Sequence, residues 1–196
     1  MLQPSSSAAQ RRIYQAALRL FGEKGIQHVS VKELAEQAGV ARGTIYNHVD
    51  SIEALFEDVA QTLSAEMNQR LMLSFRDIAD PDLRLSIGIR LYIKRAHEDP
   101  EWGLFISRSG FHSSALRQLG ASHPIKILMD GIQSKRYNLN IDQLSSCVAM
   151  LTSFIESINL VAASLPPLIP KVRTPQVPSG IYLSARALYL LPSSAG

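Results

Sequence analysis

Apolar residues recur at three- and four-residue spacing in one stretch after another along this chain, and each stretch predicts an amphipathic helix. The first runs from about Ala8 to Lys24, with Ile13, Ala16, Ala17, Leu20 and Phe21 on one face and Gly25 as a left-handed stop. A short second helix spans Val31 to Ala38 and turns Val31, Leu34, Ala35 and Ala38 inward. Ser30 and Glu33 form an S-x-x-E capping box at its start, with Val29 and Leu34 placed as a hydrophobic staple. Gly39 then breaks it, and a third helix begins near Arg42 with Ile45 and Val49 inward, one turn apart.

Longer helices follow. Asp50 or Ser51 caps a fourth that reaches about Phe75, with Leu55, Val59, Leu63, Met67 and Leu71 at helical spacing and Asp50 and Glu53 set for a second capping box. After the D-P-D-L start comes a helix apolar around most of its circumference, from Leu83 to Ala96, with Arg84, Arg90, Lys94 and Arg95 marking the wet side. Asp99 and Pro100 end it. Trp102, Leu104, Phe105 and Ile106 belong to a short sixth helix, and a seventh reaches about Lys135, with Gly120 and Pro124 expected to bend or interrupt it. The eighth, about Asn140 to Ser164, carries a seam of Ile141, Leu144, Val148, Leu151, Ile155, Ile158 and Ala162 and a second apolar side of Cys147, Met150, Phe154 and Val161. A proline-rich run then reads as loop, and Ser179 to Leu191 as a last helix. The fold class is therefore all-α.

Composition narrows the reading. The chain has 196 residues, 46% of them hydrophobic, enough to bury a real core. The formal charge of +3 permits nucleic-acid binding without demonstrating it, and the acidic residues among the first helices mean that such contacts must be local. One cysteine, Cys147, excludes an intramolecular disulfide and a Cys-based zinc cluster, so no metal is expected and a reducing cytoplasm is the simplest compartment. No charged start with an apolar run marks a signal peptide, and no uninterrupted apolar segment approaches the ~18 residues of a membrane span, so no membrane partner is expected.

The informative stretch is Val31 to Val49. With Ile45 and Val49 inward, Arg42, Thr44, Asn47 and His48 point away from the core and Tyr46 lies at the edge. That outward set is made of hydrogen-bonding side chains on a short helix, as a recognition helix in a DNA major groove requires. R-R-I-Y-Q-A-A-L-R-L-F-G-E-K-G, then V-S-V-K-E-L-A-E-Q-A-G-V-A-R-G-T-I-Y-N-H-V, then S-I-E-A-L together resemble the N-terminal domain of TetR-family transcriptional repressors. The resemblance implies an N-terminal three-helix helix-turn-helix DNA-binding domain over residues 8–52, after a disordered arm over 1–7. Residues 53–196 then form a helical ligand-binding and dimerisation domain.

On that resemblance the partners are a double-stranded DNA operator, a second copy of the chain and an unknown small-molecule effector. No cofactor is expected. Arg42 is the best base reader, Thr44 and Asn47 also reach bases, and Thr44, Tyr46 and His48 hold phosphates with Lys32 assisting. Arg11 and Arg12 are further candidates for phosphate or minor-groove contact, with solvated charge as the alternative. One departure stands out: the family usually carries a phosphate-binding lysine where Ile52 stands. For the effector, Phe75, Trp102, Phe105, Phe111 and His112 offer walls and Tyr92, His112 and Gln133 anchors; ordinary core is the alternative for each. Leu144, Val148, Leu151, Ile155 and Ile158, with Ile181 and Leu188 of the last helix, are assigned to the dimer interface; the alternative is that both sides of the eighth helix serve one monomer. No G-x-S-x-G elbow, H-E-x-x-H or phosphate-binding glycine loop points to an enzyme. A helix-turn-helix protein acting through protein contacts, without inducer response, is the competing reading.

Overall fold

Eight α-helices follow one another in the computed structural model, which describes residues 7–109 and 112–164 apart from the side chains of 158, 162 and 163. They are α1 (Ala8–Lys24), α2 (Val31–Ala38), α3 (Arg42–His48), α4 (Ile52–Phe75), α5 (Pro81–Glu98), α6 (Pro100–Ser109), α7 (Ser114–Gln133) and α8 (Ile141–Ser164). The arm before residue 7, Phe111, the side chain of Ile158, and the last helix with Ile181 and Leu188 lie outside the described residues.

Local chemistry sets the helix ends. Ser7 caps α1, its hydroxyl accepting the Gln10 N–H at 3.1 Å, and Ser30 caps α2 by accepting the Glu33 N–H at 3.2 Å. Gly39 closes α2 in the left-handed conformation, φ 61° and ψ 42°. Its N–H donates to the Glu36 carbonyl and that of Val40 to Ala35, so the last carbonyls of the helix are satisfied as the chain turns. At α4 the cap is Ser51, which accepts the Ala54 N–H at 3.0 Å. Asp50 therefore makes no capping box with Glu53, because the turn after α3 places the chain one residue further along before helical geometry begins. Asp80 caps α5, with Pro81 in the first turn where a missing N–H costs nothing.

One core links these helices. It runs from Ile13, Ala17 and Phe21 through Leu34, Ile45, Phe56 and Val59 to Tyr92, Trp102, Phe105 and Leu119. α1 packs chiefly on α6, and α6 also packs on α8. Gly22 permits the α1–α6 approach: a Cβ there would stand 3.1 Å from the Phe105 nitrogen and 3.3 Å from the Glu101 oxygen.

Two expectations about the middle helices change. Arg84 and Arg95 are not on a wet side: Arg84 pairs with Asp130 at 2.8 Å, and Arg95 pairs with Asp99 at 3.0 Å beneath cover from α4 and α6. Tertiary partners bring these cations in where helical periodicity alone sends them out. Nor do Gly120 and Pro124 interrupt α7, which is continuous. Pro124 lacks the N–H that would bond the Gly120 carbonyl four residues back; the single Thr152 hydroxyl proton of α8 is shared between that oxygen at 3.3 Å and the nearer Val148 carbonyl of its own helix at 2.9 Å. A Cβ on Gly120 would sit 3.3 Å from the Thr152 methyl, so the glycine also makes room for Thr152.

By length and a mean hydropathy of 1.5, the stretch Ile141–Val161 of α8 is apolar enough to cross a membrane. The stretch is not an uninterrupted apolar run, since Asp142, Gln143 and Glu156 lie within it. Its apolarity is accounted for by two sides, one of them packed on α5, α6 and α7.

Candidate nucleic-acid interface and effector cavity

α3 is a seven-residue rod held by one anchor. Ile45 is 1% exposed against α1 and α2, and burying it contributes about 1.5 to 3 kcal/mol. Val49 and Val40 pack at its two ends. With that side dry, Arg42, Asn47 and His48 are exposed, Tyr46 is 68% exposed, and Thr44 is half-buried. Among the described residues Arg42 has no hydrogen-bond or ion-pair partner, so its guanidinium is available to another molecule.

The neighbouring charges are more occupied. Lys32 is exposed on α2 and lies 3.9 Å from Glu36, a weak pair at that exposure. Arg12 donates to the Gly39 carbonyl at 3.4 Å, tying α1 to the turn. Lys24 and Glu33 pair across α1 and α2, and the Lys24 ammonium with its hydrogen bond holds the Glu33 carboxyl below its ordinary range. Ile52, the first residue of α4, is half-buried on the core cluster, so packing explains an apolar side chain there.

Behind this surface lies an aromatic knot. Phe21 of α1, Phe56 of α4 and Phe105 of α6 stack with ring centroids 5.3 to 6.4 Å apart. Trp102 is 1% exposed and lies under Arg95, whose guanidinium is 5.5 Å from the ring centroid. Trp102 and Phe105 are therefore bracing residues and line neither interior cavity, a correction to their assignment as pocket walls. Tyr14 adds a buried hydroxyl to this junction, and burial pushes its pKa up to about 12.

The interior cavities lie among α4, α5, α7 and α8, with α6 adding Ile106 to the second. One, of about 30 Å³, is lined by Leu71, Phe75, Leu85, Gly88, Ile89, Tyr92, Leu119, Gly120, His123, Pro124, Ile127, Leu151 and Ile155. A second of about 30 Å³ is lined by Tyr92, Ile106, Leu116, Leu119, Gly120, Thr152, Ile155 and Glu156. Phe75 and Tyr92, expected as effector contacts, line the first of these cavities. His112 lines a different, polar recess of about 170 Å³ between α1 and α6, and Gln133 is exposed at the end of α7.

His123, Thr152 and Glu156 were missed as pocket residues; single polar side chains within apolar helices give no sign of facing a cavity. His123 bonds Asn68 at 2.7 Å, and burial lowers its pKa. Leu151 and Ile155, assigned to the partner subunit, line these cavities and so face the chain's own helices. Leu144 and Val148 are half-buried along the same seam. The face left open is the other one: Met150 is 72% exposed and Phe154 51%, with Leu160 and Val161 beyond, and Leu85, Leu128 and Cys147 complete a groove of about 700 Å³ beside them.

Residues 13–59 match the family of bacterial regulatory proteins called tetR, over the same α1 to α4 segment that carries the exposed rod. Over these residues the chain is similar to the DNA-binding domain of the TetR family. Rv1255c of Mycobacterium tuberculosis, an uncharacterised HTH-type transcriptional regulator, is 29% identical over 89 residues, 45% of this chain and 44% of that protein. The HTH-type transcriptional repressor AcnR of Corynebacterium efficiens is 32% identical over 101 residues, 48% of this chain and 54% of that protein. The chain thus spans about half the length of the curated relatives it matches. Over a larger share of the chain the likeness is one of fold. The transcriptional regulator FadR from Bacillus subtilis in complex with stearoyl-CoA superposes with a TM-score of 0.65 at 20% identity, over 77% of this chain and 85% of that one, a likeness of fold.

Proposed function

We propose that this chain is a cytoplasmic, homodimeric transcriptional repressor that binds a pseudo-palindromic DNA operator and leaves it when a small molecule enters the α4, α5, α7, α8 cavity. The observation that carries the reading is the exposed polar edge of α3, with Arg42 unpaired, on a base fixed by buried Ile45. Residues 8–52 act as the reading unit and residues 53–196 as the regulatory one. Arg42 reads a guanine edge, Asn47 and Thr44 reach neighbouring bases, and Tyr46, His48 and Lys32 hold phosphates. The open apolar face of α8 around Met150 and Phe154 meets its two-fold mate.

Release follows from size. Cavities of about 30 Å³ are far below the roughly 300 to 1,000 Å³ that enclose an ordinary ligand, so entry must part the helices. Leu71 and Phe75 put the far end of α4 in the cavity wall, while Ile52 at its near end follows directly on α3. A ligand that displaces the far end shifts the α3 rod relative to its twin.

Selection of bound duplexes from a random pool tests the reading. The expected product is a pseudo-palindrome with half-sites about 34 to 36 Å apart. Recovery of no preferred sequence, at low and moderate salt alike, would overturn it.

A further inference from the structure

Glu156 is the one acidic side chain lining the paired interior cavities, and among the described residues it has no ion-pair partner. Its neighbour across the helix contact, Ser107, bonds its backbone carbonyl and leaves the carboxyl alone. Burial is the only influence on that carboxyl, and it raises the pKa. Apart from the His123 ring, the Tyr92 phenol and the Thr152 hydroxyl, the rest of the lining is apolar, and the two cavities share Tyr92, Leu119, Gly120 and Ile155 as a common wall. A half-buried carboxylate without a cation, at the side of an aliphatic slot bounded by an aromatic ring, is an unfilled half of a charge pair.

We infer that the cavity takes a lipophilic cation: a protonated amine on a narrow apolar tail, the ammonium on Glu156 beside the Tyr92 ring and the tail running toward Phe75. The inference rests on the proposal that this cavity is the effector site, and adds the class of molecule. A carboxylate head is disfavoured at this end by repulsion from Glu156, and a neutral head gains no charge-assisted bond. Tyr92 stands 6.0 Å from Trp102, the single tryptophan, so occupancy is readable as a change in its fluorescence.

Hexylamine, hexan-1-ol and hexanoate share one tail and differ in head charge, and each is titrated into the full chain and into Glu156→Gln. Hexylamine is expected to bind about tenfold more tightly than hexan-1-ol, the scale of one charge-assisted bond, with hexanoate weakest. Glu156→Gln is expected to abolish the preference for the amine. Equal affinity for amine and alcohol, an amine preference that survives in Glu156→Gln, or no binding by any probe overturns the inference. The same titrations with a selected duplex present separate the two claims. Glu156-dependent amine binding that leaves DNA affinity unchanged supports the inference and overturns the effector-site proposal. Duplex release by hexan-1-ol or hexanoate, with none by hexylamine, does the reverse.

Discussion

Arg42 opens α3 with its guanidinium exposed, and one turn of helix separates it from the buried Ile45 that holds the rod still. A bidentate base contact depends on both features, since a reader that moves with the helix loses its geometry. Arg42→Ala is expected to weaken operator binding by about 1 to 3 kcal/mol and relax preference at one base pair, measured on single-substituted duplexes. Equal weakening on every sequence would make Arg42 a phosphate contact. Ile52 tests the opposite sort of residue, one given to packing where the family resemblance leads one to expect a lysine. A lysine there can lay its stem on the same core and lift its ammonium to the surface. Ile52→Lys should steepen the salt dependence of DNA binding by about one unit of log affinity against log salt. An unchanged slope would place this helix end away from the backbone.

Glu156 carries its own pH signature. Its folded pKa is raised by burial, so on unfolding the carboxyl becomes easier to ionise, and the cost to the folded state appears only as pH rises past the ordinary carboxylate value of about 4.3. Glu156→Gln is therefore expected to melt at a higher temperature than the parent at pH 7, the difference shrinking toward pH 4. A constant difference across that range would mean that ionisation is not its source.

Among elements, the α1–α6 crossing joins the two ends of the proposed mechanism. α6 packs on both α1 and α8, and its backbone approaches α1 closely at Gly22. A methyl group at that point meets backbone atoms of Glu101 and Phe105, which cannot rotate aside. Gly22→Ala should lower stability by about 1 to 3 kcal/mol, read from the urea midpoint, with helix content retained. An unmoved midpoint would show that the two helices separate freely. The α7–α8 contact follows similar logic: Gly120 leaves room for Thr152, whose hydroxyl reaches both the Val148 and the Gly120 carbonyls.

For the molecule as a whole, the open side of α8 decides whether one copy or two reads DNA. Phe154 sits among Met150, Leu160 and Val161 on that side, and a patch of large exposed apolar residues is unfavourable in water unless covered. Phe154→Glu should convert the dimer to monomer in sedimentation measurements. It should also lower operator affinity by about 10²-fold or more, because the second half-site no longer binds intramolecularly. A variant that remains dimeric would place the interface elsewhere.

Much of this was legible in the linear chain. The bounds of α1 and α2 and the start of α3 follow from local signals that act within four or five residues: Ser30 before Glu33, Gly39 after Ala38. The outward set on α3 was equally plain, since Ile45 and Val49 leave the other residues only one direction to point. What periodicity cannot tell is which of two apolar sides a helix turns inward, because both satisfy the same three-and-four spacing. α8 presented that ambiguity, and its contacts with α5, α6 and α7 resolved it by taking Leu151 and Ile155 inside and leaving Met150 and Phe154 out. Trp102 and Phe105 became bracing for the same reason, their neighbours being Arg95 on α5 and Phe21 and Phe56 on α1 and α4. The chain alone determined its helices and the polar edge of α3, which depend on residues one turn apart. Only the tertiary structure placed an unpaired Glu156 beside an apolar slot, because the walls of that slot come from helices joined only by long-range packing.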